Sequence, residues 1–230
     1  MSSPLLKLIQ SGATAEVADA VLDDPGLAAW RDPQGVSALL WSIYCGHVLI
    51  RDFFVARLAS DGLPLDIFEA AALGDLAALS KLLAADPKLI HSVSGDGWTP
   101  LHLGAAFATP EAVTFLLDAG GKVNAVSQNP QQNQPLHAAL ALGKNPQIIE
   151  ILLARAASPN ATQAGGFTPL FSAATANRRD LAELLIAHGA KPHWQSDHGK
   201  TPADFARDRG HTELADWLAQ LPTDQAARPD

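Results

Sequence analysis

Gly97-Trp98-Thr99-Pro100-Leu101-His102 is followed by near copies of itself at an almost constant interval, and that periodicity constrains the chain more than any other feature. The Thr99 position returns as Gln134, Thr168 and Thr201, at spacings of 35, 34 and 33 residues, and Ser37 holds it upstream. A period of about 33 residues marks a stack of small supersecondary units. One such unit cannot bury its own apolar face, so it needs copies on either side and shares a continuous apolar seam with them.

The local chemistry predicts what each unit contains. Thr99 is placed to cap a helix with its hydroxyl, and Pro100 suits the first helical position because it has no N–H to leave unpaired. Leu101 and the small pair Gly104-Ala105 give that helix a close-packing side. Thr109-Pro110 opens a second helix, with Val113, Leu116 and Leu117 as its buried stripe. Glycines at Gly12, Gly46, Gly74, Gly143 and Gly210 are expected to end the first helix of their units.

Seven units are expected. Residues 4–30 form an N-terminal cap, with Leu5, Leu6, Leu8 and Ile9 as one stripe and Val17 and Leu22 as the next. Residues 31–63 open on Asp32-Pro33-Gln34-Gly35, a turn in which proline presets one dihedral and glycine tolerates the positive one. Residues 64–93 lack a Thr-Pro-Leu-His run, although Asp66 and Glu69 are spaced as a capping box, so this unit is expected to have a short or missing turn finger. Residues 94–126, 127–161 and 162–195 are regular, and Ser127–Gln134 carries two extra residues and predicts the longest finger. Residues 196–221 close the stack with the more polar inner helix that an end cap requires, and 223–230 read as a disordered tail behind a single domain over 1–222.

Gly-x-Thr-Pro-Leu stands intact at Gly97–Leu101 and Gly166–Leu170, Gly199-Lys200-Thr201-Pro202 keeps most of it, and Pro135-Leu136-His137 is a partial match. On these residues the chain resembles the ankyrin-repeat family over nearly its whole length, and Ala84–Ile90 and the long fifth turn look like those of small stand-alone bacterial members. The resemblance implies an all-α solenoid with short turn or β-hairpin fingers, whose fingers and inner helices form a concave protein-binding face. Gln134 in place of threonine, and Phe171 and Asp204 in place of histidine, depart from the family's pattern.

A formal charge of −8 argues against nucleic acid and anionic lipid as partners, and no apolar segment approaches the ~18 residues of a membrane helix. The single cysteine, Cys45, allows no internal disulfide, and the N-terminus shows no secretory pattern, which together suggest a cytoplasmic protein. No nucleophile elbow, phosphate-cradling loop or His-Glu-x-x-His is present, so the chain reads as non-catalytic, with no cofactor and no metal. His102 and His137 occupy the structural histidine position of the repeat. The one conceivable polar site gathers His193, Asp197 and His198.

Recurring large side chains carry the functional expectation. The residue before each Thr-Pro pair faces the groove, and there stand Val36, Trp98, Asn133, Phe167 and Lys200. The ends of the inner helices add Tyr44, Phe107 and Leu142, and Trp30 and Trp194 hold the junctions into the second and seventh units. Trp41, Phe205 and Trp217 fall on buried stripes and are assigned to packing. The candidate partner-binding set is therefore Tyr44, Asp96, Trp98, Phe107, Gln131, Gln132, Asn133, Phe167, Trp194 and Lys200, with Trp98, Phe107 and Phe167 as aromatic anchors and Gln128–Asn133 as a polar rim. The expected function is a monomeric protein–protein interaction module; the alternatives are a dedicated inhibitor or immunity partner of an enzyme from the same cell and, last, an enzyme with a His/Asp site near 193–198.

Overall fold

A computed structural model describes residues 3–143 and 145–222; the expected tail at 223–230 lies outside the described residues. Fourteen α-helices follow one another in pairs among them: α1 (Pro4–Ser11) with α2 (Thr14–Asp23), α3 (Ala38–Tyr44) with α4 (Val48–Ser60), α5 (Ile67–Leu73) with α6 (Leu76–Ala85), α7 (Pro100–Phe107) with α8 (Pro110–Asp118), α9 (Pro135–Ala138) with α10 (Pro146–Ala154), α11 (Pro169–Thr175) with α12 (Arg179–Ala187), and α13 (Pro202–Asp208) with α14 (Thr212–Gln220). The odd-numbered helices form an inner row, each packed against the next from α1 to α13. The architecture is an all-α solenoid.

The inner helices start as their side chains dictate. The Thr99 hydroxyl accepts from the His102 N–H, and Asp66 and Glu69 cap each other reciprocally at α5. Asp204, standing where the pattern has histidine, does the same local work at α13, because its carboxylate accepts from the Thr201 N–H and hydroxyl. Phe171 has no such acceptor, and Thr168 makes no side-chain cap.

Five turn fingers project from the ends of the inner helices, each closed by one backbone hydrogen bond: Asp32 to Val36, Ser94 to Trp98, Ser127 to Asn133, Gln163 to Phe167 and Ser196 to Lys200. The fifth unit's finger is the longest. The third unit has none, since only residues 61–66 link α4 to α5. Positive φ at Gly35, Gly97, Gly166 and Gly199 turns four of the fingers, and Gln132, at φ 49, is forced into the same left-handed region in the fifth.

Three expectations need correction. Leu22 is 63% exposed and Val21 is buried, because Val21 lies one turn after Val17 on the same face. Gly143 does not end its helix in a left-handed cap. The inner helix of the fifth unit instead loosens into a π turn at Ala139–Gly143, where Gly143 is needed because a β-carbon would come within 2.7 Å of the Ala105 carbonyl oxygen. In the sixth unit Asn177 takes the left-handed position, at φ 53. Third, the seam is not one cluster. Ala38 and Leu39 of α3 bury into an N-terminal group with Ile9, Val21 and Phe54, whereas Val36 and Leu40 bury into a larger group that runs from Ile67 to Leu218. Half-buried Trp41, Ile43 and Leu65 pack against both groups and join them.

Candidate partner-binding face

The fingers are stitched edge to edge. The Gln128 N–H donates to the Gly97 carbonyl at 2.8 Å, Ala164 to Gln131 at 2.9 Å, and Asp197 to Gly165 at 3.0 Å, one bond for each consecutive pair from the fourth finger to the seventh. Histidines tie the first two of these junctions as well. His102 Nε2 lies 3.1 Å from the Asn133 carbonyl and His137 Nε2 lies 3.3 Å from that of Phe167, while each Nδ1 accepts from the backbone N–H at its helix start. Nε2, facing a carbonyl, carries the proton, and Nδ1, accepting a backbone N–H, carries none, so both rings are neutral. Burial lowers the pKa of each to about 4. His47, His193 and His211 likewise face carbonyls of neighbouring units, those of Gln10, Leu221 and Thr175.

With the third finger missing, the second and fourth meet directly. A β-carbon on Gly95 would land on the carbonyl oxygen of Gln34, so only glycine permits the approach. Tyr44, at the end of α3, reaches past the third unit to residues of the fourth. Its hydroxyl donates to Asp96 at 2.8 Å. Its ring stacks on Phe107 at 5.6 Å between centroids, and Trp98 packs against both, at 6.5 Å from Tyr44 and 6.4 Å from Phe107. These rings, with Asp96, Asn129, Gln131 and Leu142, line an open hollow of ≈ 330 Å³.

Further along the row lies a second aromatic hollow, of ≈ 360 Å³. Phe167 from the sixth finger, Phe171 from α11 and Phe205 from α13 meet edge to face, with centroids 5.2–5.3 Å apart. Phe205, assigned to packing, does pack on both of these rings; it is half-buried and also lines this hollow with Phe171. A partial signal lay in the sequence: Phe205 stands one residue past the position equivalent to Phe171, on the next inner helix. Trp41, in contrast, is tied to the second finger through its Nε1–H bond to Asp32 at 2.9 Å.

The candidate set thus divides. Tyr44, Asp96, Trp98, Phe107 and Gln131 share one hollow, and Phe167 lines the other. Gln132 is exposed beside the first hollow. Asn133 is buried, not part of the rim: its backbone N–H donates to Ser127 and its carbonyl faces His102, so the bulge that lengthens the finger ends one residue earlier. Its side-chain Oδ1 and the Oε1 of Gln134 are buried without a hydrogen-bond partner among the described residues. Trp194 reaches toward the sixth finger, donating from Nε1 to the Gly166 carbonyl at 3.1 Å, and Lys200 is ion-paired with Asp208. His193, Asp197 and His198 do not converge: the first faces Leu221, the second lies against Gly166, and the third is exposed.

Among known proteins, a family model described as ankyrin repeats in three copies matches residues 67–163 and 141–228. Human neurogenic locus notch homolog protein 4 is 34% identical over 155 residues, 66% of this chain and 7% of that protein. A probable E3 ubiquitin-protein ligase of rice is 40% identical over 88 residues, 38% of this chain and 19% of the ligase. The ankyrin repeat, SAM and basic leucine zipper domain-containing protein 1 of the gorilla is 35% identical over 109 residues, 46% of this chain and 22% of that protein. The chain therefore spans less than a quarter of the length of these relatives. They come from plants and animals, so the likeness to bacterial members rests on the sequence features alone.

Proposed function

The chain belongs to the ankyrin-repeat family, whose repeats are general protein–protein interaction modules, and on that premise we propose that it binds a protein partner across its fingers and inner helices. The observation that carries this reading is the pair of open aromatic hollows on the finger side, Tyr44–Trp98–Phe107 and Phe167–Phe171–Phe205, with exposed Leu142 beside the first. Aromatic side chains in partly dry hollows are where interface energy concentrates. A partner covering the fourth to sixth fingers would bury roughly 800 Å² on this side. The family is generally non-catalytic, and the ligase name belongs to a relative of which this chain spans 19%.

The acidic charge disfavours nucleic acid and anionic lipid as the partner, and no helix among the described residues is long and apolar enough to cross a membrane. The reading is of a monomeric module working in the cytoplasm, the compartment that its lone Cys45 suits.

The test is affinity capture with the chain and with Trp98→Ala/Phe167→Ala, each checked for helix content and melting temperature. Each ring packs on its neighbours, so some loss of stability is expected, but the variant should remain folded at the capture temperature. Loss of the partner by the folded variant is the expected result. Undiminished capture would place the interface elsewhere.

A further inference from the structure

We propose that the Tyr44–Asp96–Trp98–Phe107 hollow receives an arginine side chain of the bound polypeptide. The assignment rests on the protein-binding reading above and names the chemistry that its first hollow selects. Phe107 lies within 24° of parallel to Trp98 and 29° to Tyr44, while Tyr44 and Trp98 are tilted by 48° to each other, so the rings form a splayed aromatic bank along the hollow. A planar guanidinium stacks on such a bank through dispersion and cation–π attraction, which a compact ammonium, needing to keep its hydration, exploits less well.

At the edge of the bank stands a carboxylate. Asp96 accepts from the Tyr44 hydroxyl through Oδ2 and from the Ser94 hydroxyl through Oδ1, which fixes its orientation and leaves lone pairs on both oxygens. Both donors are neutral, and among the described residues no cation pairs with Asp96. A held carboxylate beside an aromatic plane is a geometry that a guanidinium fork matches.

The surroundings have the complementary sign. Burial first, and then Asp96, Asp66 and Asp32 in that order, push the Tyr44 hydroxyl far above its ordinary range, so three carboxylates are felt at this ring. The Arg31 guanidinium, at the start of the second finger, is engaged by Asp66 at 2.9 Å and Glu69 at 3.3 Å. The net charge of −8 extends the attraction to a basic segment as a whole. Leu142, 51% exposed, offers apolar surface for the methylenes of the incoming side chain, and exposed Gln131 offers an amide to the backbone that carries it.

The experiment selects binders from a displayed peptide library on the wild-type chain, then measures chosen peptides against Asp96→Asn, Trp98→Ala and Phe171→Ala. Asp96→Asn keeps the size of the side chain and an acceptor for Tyr44, so it isolates charge. The expected result is a recurrent arginine whose replacement by neutral citrulline weakens binding to wild type by about tenfold or more. On Asp96→Asn the two peptides should bind nearly alike. Peptides that depend on Trp98 or Phe171 but bind equally with citrulline would overturn the arginine assignment and leave the protein-binding reading standing. Peptides indifferent to every aromatic substitution, or no binders at all, would count against both.

Discussion

From the fourth finger to the seventh the stack is uniform. Each finger hands one backbone N–H to its predecessor, and neutral histidines brace two of the junctions. Between the second and fourth fingers nothing of that kind exists. There the contact is Gly95 against the Gln34 carbonyl, and the bond that spans it is between side chains, Tyr44 to Asp96. The two kinds of junction differ because the third unit has a helix pair but no finger. Removing a finger draws its neighbours together, so the end of α3 can stack on residues two units away. The loss of regularity is what assembles the Tyr44–Trp98–Phe107 hollow, whereas the Phe167–Phe171–Phe205 hollow arises between ordinary neighbours.

Acid separates the two kinds of junction most strongly. His102 and His137, with pKa values of about 4 in the fold and about 6.5 when unfolded, stay neutral in the native state while the unfolded chain takes up protons. Stability at the regular junctions is therefore complete above pH 6.5 and is lost as the pH falls toward 4, by on the order of 3 kcal/mol per ring. Glu69, at the irregular junction, has the opposite sign. Burial, with Asp66 second, raises its pKa, so its contribution improves as the pH falls through the carboxylate range. Hydrogen exchange followed from pH 7 to 4.5 should show protection fading first around α7 and α9, not around α5. His102→Gln should flatten the pH dependence.

Gly95→Ala should come next. The β-carbon meets backbone and cannot be accommodated by a rotamer, so a loss of about 3 kcal/mol is expected in denaturant unfolding. Gly199, in the last finger, has open space around its β position and a φ of 71, so Gly199→Ala should cost only the left-handed strain, about 1 kcal/mol. Gln132→Gly should return a gain of similar size, because Gln132 bears that strain now, at φ 49. Equal effects at Gly95 and Gly199 would mean that the second and fourth fingers do not meet at Gly95.

The repeat register, the helix starts and the missing third finger were all legible, because capping chemistry and glycine placement are local. Thr99, Pro100, Asp66 and Glu69 announce their roles within four residues of chain. The pairing of Tyr44 with Asp96 was not, since it depends on how far α5 lets two other units approach, which no local pattern encodes. Asn133 misled for a related reason: it occupies the groove-facing position by count, but the two extra residues of its finger turn it inward under the reach of His102. The division of the seam at α3 was hidden because Leu39 and Leu40 are adjacent in sequence and face opposite ways. Phe171 was visible as a departure from the repeat pattern, and its meaning appeared only once Phe205 was set beside it.

The most direct test is a double-mutant cycle on Tyr44→Phe and Asp96→Ala, each of which removes one partner of the hydrogen bond, read in denaturant unfolding. If the missing finger has brought these units together, the two substitutions will be coupled by about 1 kcal/mol, the worth of one partly buried hydrogen bond. Strictly additive losses would contradict the account, because they would leave Tyr44 and Asp96 without contact and the first hollow without its wall.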